Sequence, residues 1–223
     1  MGKIKENLLQ IKSQLPEKVT LVAVSKTKPV SDLMEAYEAG QRIFGENKIR
    51  EMTDKWQTMP KDISWHMIGH VQTNKVKFMS EYVSLIHGVD SLKLLEEINK
   101  QAKKHNRVID CLLQMHIAEE ETKFGLNQVE LNEILQYIQD DKNDIKNINI
   151  AGLMGMATFT DNQNQIKKEF ENLKTIFDKI SDQPLTSNLR PITLSMGMSG
   201  DYKQAIDCGS TMIRIGSSIF GGR

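Results

Sequence analysis

A lysine closes a run of small and β-branched residues, Leu21-Val-Ala-Val-Ser-Lys26, and is followed by Thr27, Lys28 and Pro29. Alternate residues of a strand share a face, so Val22, Val24 and Lys26 are expected to point the same way. An amine at a strand end among apolar neighbours loses hydration, which favours the neutral form that attacks aldehydes. Those are the requirements of a Schiff-base lysine. A surface lysine opening a loop would have the same local sequence, and Lys28 is a rival two residues on.

Two turns rich in glycine and serine offer anion chemistry. Ser195-Met-Gly-Met-Ser199-Gly-Asp201 precedes a short helix predicted over Tyr202–Cys208, and Gly216-Ser217-Ser218 follows Arg214 and Ile215. Glycine lets the backbone approach a ligand closely, and a helix start directs free N–H groups at an anion. Phosphate fits both. Arg214 shares a strand face with Met212 and Gly216, whereas Ile213 and Ile215 share the other, so either the arginine or two isoleucines face inward. The pattern favours the arginine inside over an outward arginine in an ordinary ion pair. A buried guanidinium needs an acceptor, which the nitrogen of a phosphate-anchored pyridine ring would supply. Arginine stays protonated, so it donates to that nitrogen and leaves the ring uncharged, a poor electron sink. This suits holding pyridoxal 5′-phosphate (PLP) better than carbanion chemistry.

Two further stretches carry polar residues: Phe44-Gly45-Glu46-Asn47, and Trp65-His66-Met67-Ile68-Gly69-His70 with Gln72, Asn74 and Lys75. Asn47 and His66 are candidates to point into the same site, although a lone strand histidine is more often a satisfied core residue. Tyr202 is read as a surface residue at a helix start. The five histidines show no paired metal-ligand spacing, so no metal is expected. Cys111 and Cys208 lie in apolar surroundings and are read as buried free thiols, which fits a reducing cytoplasm.

These residues need elements to place them. Short apolar runs alternate with helical segments, the signature of a parallel sheet. Strands are predicted at Val19–Ser25, Arg42–Gly45, Ser64–Ile68, Val83–Val89, Val108–Ile117, Ile148–Met154, Ile192–Ser195 and Thr211–Ile215. Eight such strands imply a (β/α)8 TIM barrel, whose site is built from the loops after the strands. Helices are predicted over Ser91–Lys104, with a Ser N-cap, and over Asn127–Gln139, with Val129, Leu131, Ile134, Leu135 and Ile138 inward. Too few residues follow the last strand for a full outer helix, whereas Ile4, Leu8, Ile11 and Leu15 form an apolar stripe before the first. That N-terminal helix is expected to pack outside the barrel in the vacant place. The 223 residues are read as one domain, 1–223. Lys plus Arg and Asp plus Glu both number 29, so no net field attracts nucleic acid or an acidic membrane. A leader or membrane span is not expected.

In content and order the motifs Ala23-Val-Ser-Lys-Thr-Lys-Pro29, Phe44-Gly-Glu-Asn47, Trp65-His-Met-Ile-Gly69 with Gln72 and Asn74-Lys75, Gly152-Leu-Met154, Leu194-Ser-Met-Gly-Met-Ser199, Ile213-Arg-Ile-Gly216 and Ile219-Phe-Gly221 resemble the YggS/PROSC family of PLP homeostasis proteins. The resemblance implies a barrel like the N-terminal domain of alanine racemase and makes Lys26, not Lys28, the Schiff-base lysine. It further implies that Ser199, Gly216 and Ser217 hold the phosphate, that Arg214 faces the pyridine nitrogen, and that Asn47 and Met198 lie near the cofactor. Many members have Thr at the position of Ser217, and Trp-His-Phe where this chain has Trp65-His66-Met67. Related racemases add a second domain that brings a catalytic tyrosine across a dimer, for which no room is expected here. A monomeric PLP carrier serving apo-PLP enzymes is therefore expected. The alternatives are a racemase-like enzyme with Lys26 as its base, or a barrel acting on another phosphorylated metabolite.

Overall fold

Eight strands close into one barrel in sequence order, every neighbouring pair parallel: β1 Thr20–Val24, β2 Ile43–Glu46, β3 Ser64–Met67, β4 Leu85–Val89, β5 Ile109–Gln114, β6 Ile148–Met154, β7 Leu189–Ser195 and β8 Met212–Ile215. The computed structural model describes residues 2–120, 124–182 and 188–222. Each strand's alternation divides it between two cores. Val22, Leu85, Leu112, Ala151, Met154 and Met212 meet inside the barrel. Leu21, Ala23, Phe44, Trp65, Ile213 and Ile215 belong to the larger core shared with the surrounding helices.

Strand β7 starts three residues before the expected Ile192 and includes Pro191. The proline is tolerated because the strand bulges there: Ile150 pairs with Leu189 and Gly152 with Thr193, so β7 spends two more residues than β6 over that stretch. Gly152 has φ 150°, and a Cβ on it would lie 1.8 Å from the Thr193 carbonyl oxygen, so only glycine fits the crossing.

The helices are α1 Lys3–Ser13, α2 Val30–Glu38, α3 Ile49–Thr58, α4 Leu92–Lys104, α5 Gln128–Gln139, α6 Gln163–Ser181, α7 Tyr202–Asp207 and α8 Ser217–Phe220. Between β3 and β4 the chain makes only a 3-10 turn, Thr73–Phe78. Ser91 caps α4 by accepting from the Leu94 amide, and Asn127 caps α5 in a reciprocal box with Glu130. Two expectations are corrected. Val129 is 65% exposed because the first turn of α5 points it away from the face carrying Leu131, Ile134, Leu135 and Ile138. Cys111 is buried in β5, but Cys208 is only half-buried, at the C-terminal cap of α7.

Helix α1 lies against α2 and the short α8. Leu8 and Ile11 are buried, the Asn7 side chain donates to the Ile219 carbonyl, and the Lys5 amide donates to Glu35. The N-terminal helix thus packs between α2 and the single-turn α8 on the outside of the barrel. Among the described residues no helix is long and apolar enough to cross a membrane.

Leu8 is fully buried. Leu8→Ala should lower unfolding free energy by about 2–5 kcal/mol in urea denaturation. A loss well under 1 kcal/mol would show that α1 does not belong to the folded ring.

Candidate functional site

A cavity of about 570 Å³ opens at the C-terminal end of the barrel, and Lys26, Asn47, Met198, Ser199, Arg214, Gly216 and Ser217 all line it. A larger hollow of about 740 Å³ lies beside it, outside the barrel along α3 and the 3-10 turn, and shares only Asn47 and His70 with it. The residues with distinctive chemistry converge on the smaller space.

Lys26 is clamped through the backbone on both sides. Before it, Ser25 is buried; its hydroxyl donates to Glu46 Oε1 at 2.6 Å and its carbonyl accepts from Lys55 Nζ at 2.8 Å. After it, Thr27 takes a left-handed φ of 64°, and its amide donates to Glu51 Oε1 at 2.6 Å. Lys55 Nζ joins the two halves, donating to Glu46 and Glu51, each at 2.7 Å. A β-branched residue at positive φ costs of order 1–3 kcal/mol and persists only where its surroundings hold it. Burial pushes the Glu46 carboxyl above its ordinary value, against the opposing hydrogen bonds from Lys55 and Ser25.

The two lysines of the loop differ. Lys28 Nζ donates to the carbonyls of Phe220 and Gly222, at 3.1 and 2.9 Å, and so ties this loop to the C-terminal turn. Lys26 Nζ makes no hydrogen bond or ion pair among the described residues and faces the cavity unengaged.

The two serine-glycine turns meet beside it, after β7 and β8, the strand that pairs with β1. The Gly216 amide donates to Ser199 Oγ at 3.3 Å, and Met198 is held by an Asp201 carboxylate 2.6 Å from its amide. The amides of Ser199, Gly200, Ser217 and Ser218 have no partner among the described residues. Exposed or partly exposed N–H groups gathered with two hydroxyls form a concavity suited to an anion. A Cβ at Gly216 would sit 3.1 Å from the Val24 carbonyl oxygen, so glycine there lets the two loops close.

Arg214 points inward, opposite Val22 in the β1–β8 register, while Ile213 and Ile215 point out. It is 4% exposed. Nη1 donates to the Ser195 carbonyl at 3.0 Å and to Ser195 Oγ at 2.6 Å, and Nη2 donates to the Gly155 carbonyl at 3.1 Å. Loss of hydration lowers its pKa to about 10, which still leaves it charged at neutral pH.

His66 does not reach the mouth. It lies inside the barrel, bonded at 3.0 Å to His87, because Ile68, two residues on along the same strand face, takes the place at the cavity. His70 stands at the cavity wall instead, paired with Asp90 at 3.0 Å and stacked on the Phe124 ring at 4.5 Å. Tyr202 is half-buried under Gly197 and does not line the cavity. Sequence reasoning passed over Glu51, Lys55, His87, Asp90 and Phe124. Glu51 and Lys55 read as an ordinary i,i+4 helix pair, and the others gain meaning only from residues distant in the chain.

The family described as alanine racemase, N-terminal domain, matches residues 1–223. The pyridoxal phosphate homeostasis protein of Vibrio alginolyticus is 37% identical over 240 residues, covering 100% of this chain and 99% of that one. That of Escherichia coli K12 is 33% identical, covering 100% and 98%. This chain belongs to the family of pyridoxal phosphate homeostasis proteins. PipY of Synechococcus elongatus, solved with PLP bound, superposes with a TM-score of 0.87 at 34% identity, covering 98% of this chain and 100% of that one. Alanine racemase of Clostridium difficile has the same barrel, with a TM-score of 0.78 at 16% identity, and this chain matches 56% of it.

Removing one partner of a buried ionic cluster is costly, so Lys55→Met should destabilise the protein by about 3–5 kcal/mol, partly recovered in Lys55→Met/Glu46→Gln. Denaturation of the three proteins checks this, and an unperturbed single variant would contradict the clamp. Burial also lowers His66 to about 3 and His87 well below its ordinary value. Below about pH 6.5 the unfolded chain then binds protons that the folded chain refuses, so stability falls as pH falls towards 3, by up to about 1.4 kcal/mol per pH unit per histidine. His66→Asn/His87→Asn should lose less stability than the parent between pH 7 and 5. Equal slopes would mean that these histidines titrate normally in the folded state.

Proposed function

We propose that this chain carries and buffers PLP, held covalently on Lys26, and does not turn over a substrate. The observation that carries this reading is the convergence, in one cavity, of an unengaged lysine amine, a set of unpartnered amides and a buried arginine. The relatives named for PLP homeostasis, and the PLP bound in PipY, support the same cofactor.

Ser199, Gly216 and Ser217 would take the phosphate, Arg214 the ring nitrogen, and Asn47 and Met198 would flank the ring. When bound, PLP supplies an aldehyde that captures amines. Lys26 is the amine that would capture this aldehyde, with loss of water, and so would keep it off other amines until an apo-PLP enzyme receives it. Arg214 remains a donor at neutral pH and would leave the ring nitrogen unprotonated, which would weaken the ring as an electron sink. No tyrosine lines the cavity among the described residues. The chain acts, on this reading, as a single barrel domain over residues 1–223, monomeric and cytoplasmic.

One feature supports a racemase-like reading. His70, oriented by Asp90, is a group able to take a proton at the cavity wall. Incubation with D- and L-amino acids in deuterated water separates the two: deuterium at Cα at a useful rate would favour an enzyme.

Addition of PLP should produce a visible absorbance band and, after borohydride reduction, one covalent adduct on Lys26 by peptide mass. Lys26→Ala should lose the adduct and Lys28→Ala retain it. An adduct that persists in Lys26→Ala would overturn the assignment. Holo-protein should also reactivate an apo-PLP enzyme while a scavenger destroys free PLP.

A further inference from the structure

We infer that Ser195, His87 and His66 form a one-directional hydrogen-bonded chain through the barrel interior that sets the orientation of the Arg214 guanidinium. Ser195 and His87 are then positioning residues for the cofactor ring. The inference rests on the PLP reading for its ligand but on the protein alone for its geometry.

The chain runs from β8 through β7 and β4 to β3, and its Ser195–His87 link crosses the barrel between strands that are not neighbours. Arg214 Nη1 lies 2.6 Å from Ser195 Oγ, Ser195 Oγ 3.1 Å from His87 Nδ1, His87 Nε2 3.0 Å from His66 Nδ1, and His66 Nε2 3.4 Å from Ser64 Oγ. Ser195 and His87 are fully buried and His66 nearly so. The surrounding interior is apolar, with Val22, Leu85, Leu112 and Met212 among its residues.

Direction follows from one chemical fact: a guanidinium donates and never accepts. Ser195 Oγ must therefore accept from Arg214, and its own hydrogen needs an acceptor in a site closed to water. His87 Nδ1 is the atom in place. Were His87 to carry a proton there, the hydroxyl would face two donors and its hydrogen would be stranded, at the cost of an unsatisfied buried donor. His87 therefore holds its hydrogen on Nε2 and gives it to His66 Nδ1, and His66 in turn holds its hydrogen on Nε2, towards Ser64. A second cation at His87 would also oppose Arg214, the charged group at the other end of the chain.

The consequence lies at the cavity. Arg214 has five N–H hydrogens. Three are committed to Ser195 O, Ser195 Oγ and Gly155 O, which fixes the guanidinium plane. The two that remain, on Nε and Nη2, are the donors left for a ligand. A single arrangement of the chain thus gives a single presentation of the arginine.

Nitrogen-15 NMR of histidine-labelled apo-protein tests the direction without any cofactor. His66 and His87 should both be neutral Nε2–H tautomers across the neutral range, and an Nδ1–H tautomer or an imidazolium at His87 would overturn the proposal. The effect on the ring is read in holo-protein. His87→Leu and Ser195→Ala should each weaken PLP affinity about tenfold, the worth of one misaligned hydrogen bond to a charged group, and shift the absorbance maximum. In His87→Asn the side-chain oxygen can stand where Nδ1 accepts from Ser195, and it should restore both. Should His87→Leu fail to fold, Ser195→Ala alone carries the measurement. Parental affinity and band in Ser195→Ala would sink the positioning role. Failure of the parent protein to bind PLP would sink the cofactor reading and leave the NMR result standing.

Discussion

The ladder between the first and last strands governs the rest of the molecule. Pairing of Thr20, Leu21, Val22 and Ala23 with Met212, Ile213, Arg214 and Ile215 closes the barrel. It also places the loop after β1, with its lysine, beside the loop after β8, with its serines. Residues almost two hundred positions apart become adjacent because backbone hydrogen bonds in a closed sheet leave no free edge. Lys28 reinforces the closure by reaching the carbonyls of the C-terminal turn, and α1 seals it from outside by covering α8.

On either side of β1 lies a buried polar system. Outside, Lys55, Glu46 and Glu51 hold the backbone that flanks Lys26. Inside, Arg214 is satisfied by Ser195 and Gly155. Burying charge costs several kcal/mol per ion unless partners compensate, and an apolar arrangement of the same volume would be at least as stable. Both clusters are better understood as devices that fix the Lys26 loop and the Arg214 fork than as sources of stability. Glu46 Oε2, buried with no hydrogen-bond partner among the described residues, is a local sign that position has been favoured over satisfaction.

The same arrangement bears on what the site can do. On the proposed reading, an arginine facing the ring nitrogen would favour retention of the cofactor over stabilisation of a carbanion. The barrel is shared with alanine racemase, but a shared fold does not transfer chemistry, which resides in the groups at the mouth. Here those groups include a histidine paired with an aspartate and no tyrosine among the described residues that line the cavity.

Much of this was legible in the sequence. The alternation of apolar runs and helical stretches predicted eight parallel strands, and periodicity in β8 separated Arg214 from Ile213 and Ile215, because side-chain direction in a strand is a local property of the backbone. The seven residues singled out as a site do line one cavity. The sequence could not place Pro191 within β7, since tolerance of a proline depended on a bulge set by the partner strand. Nor could it distinguish the Lys26 amine from that of Lys28 by its own residues, or foresee that Lys55 and Glu51 brace the loop, or that His66 and His87 meet. Pattern along a chain records which face a side chain takes; which side chain it then meets is decided by strand order and register, and only closure of the barrel sets those.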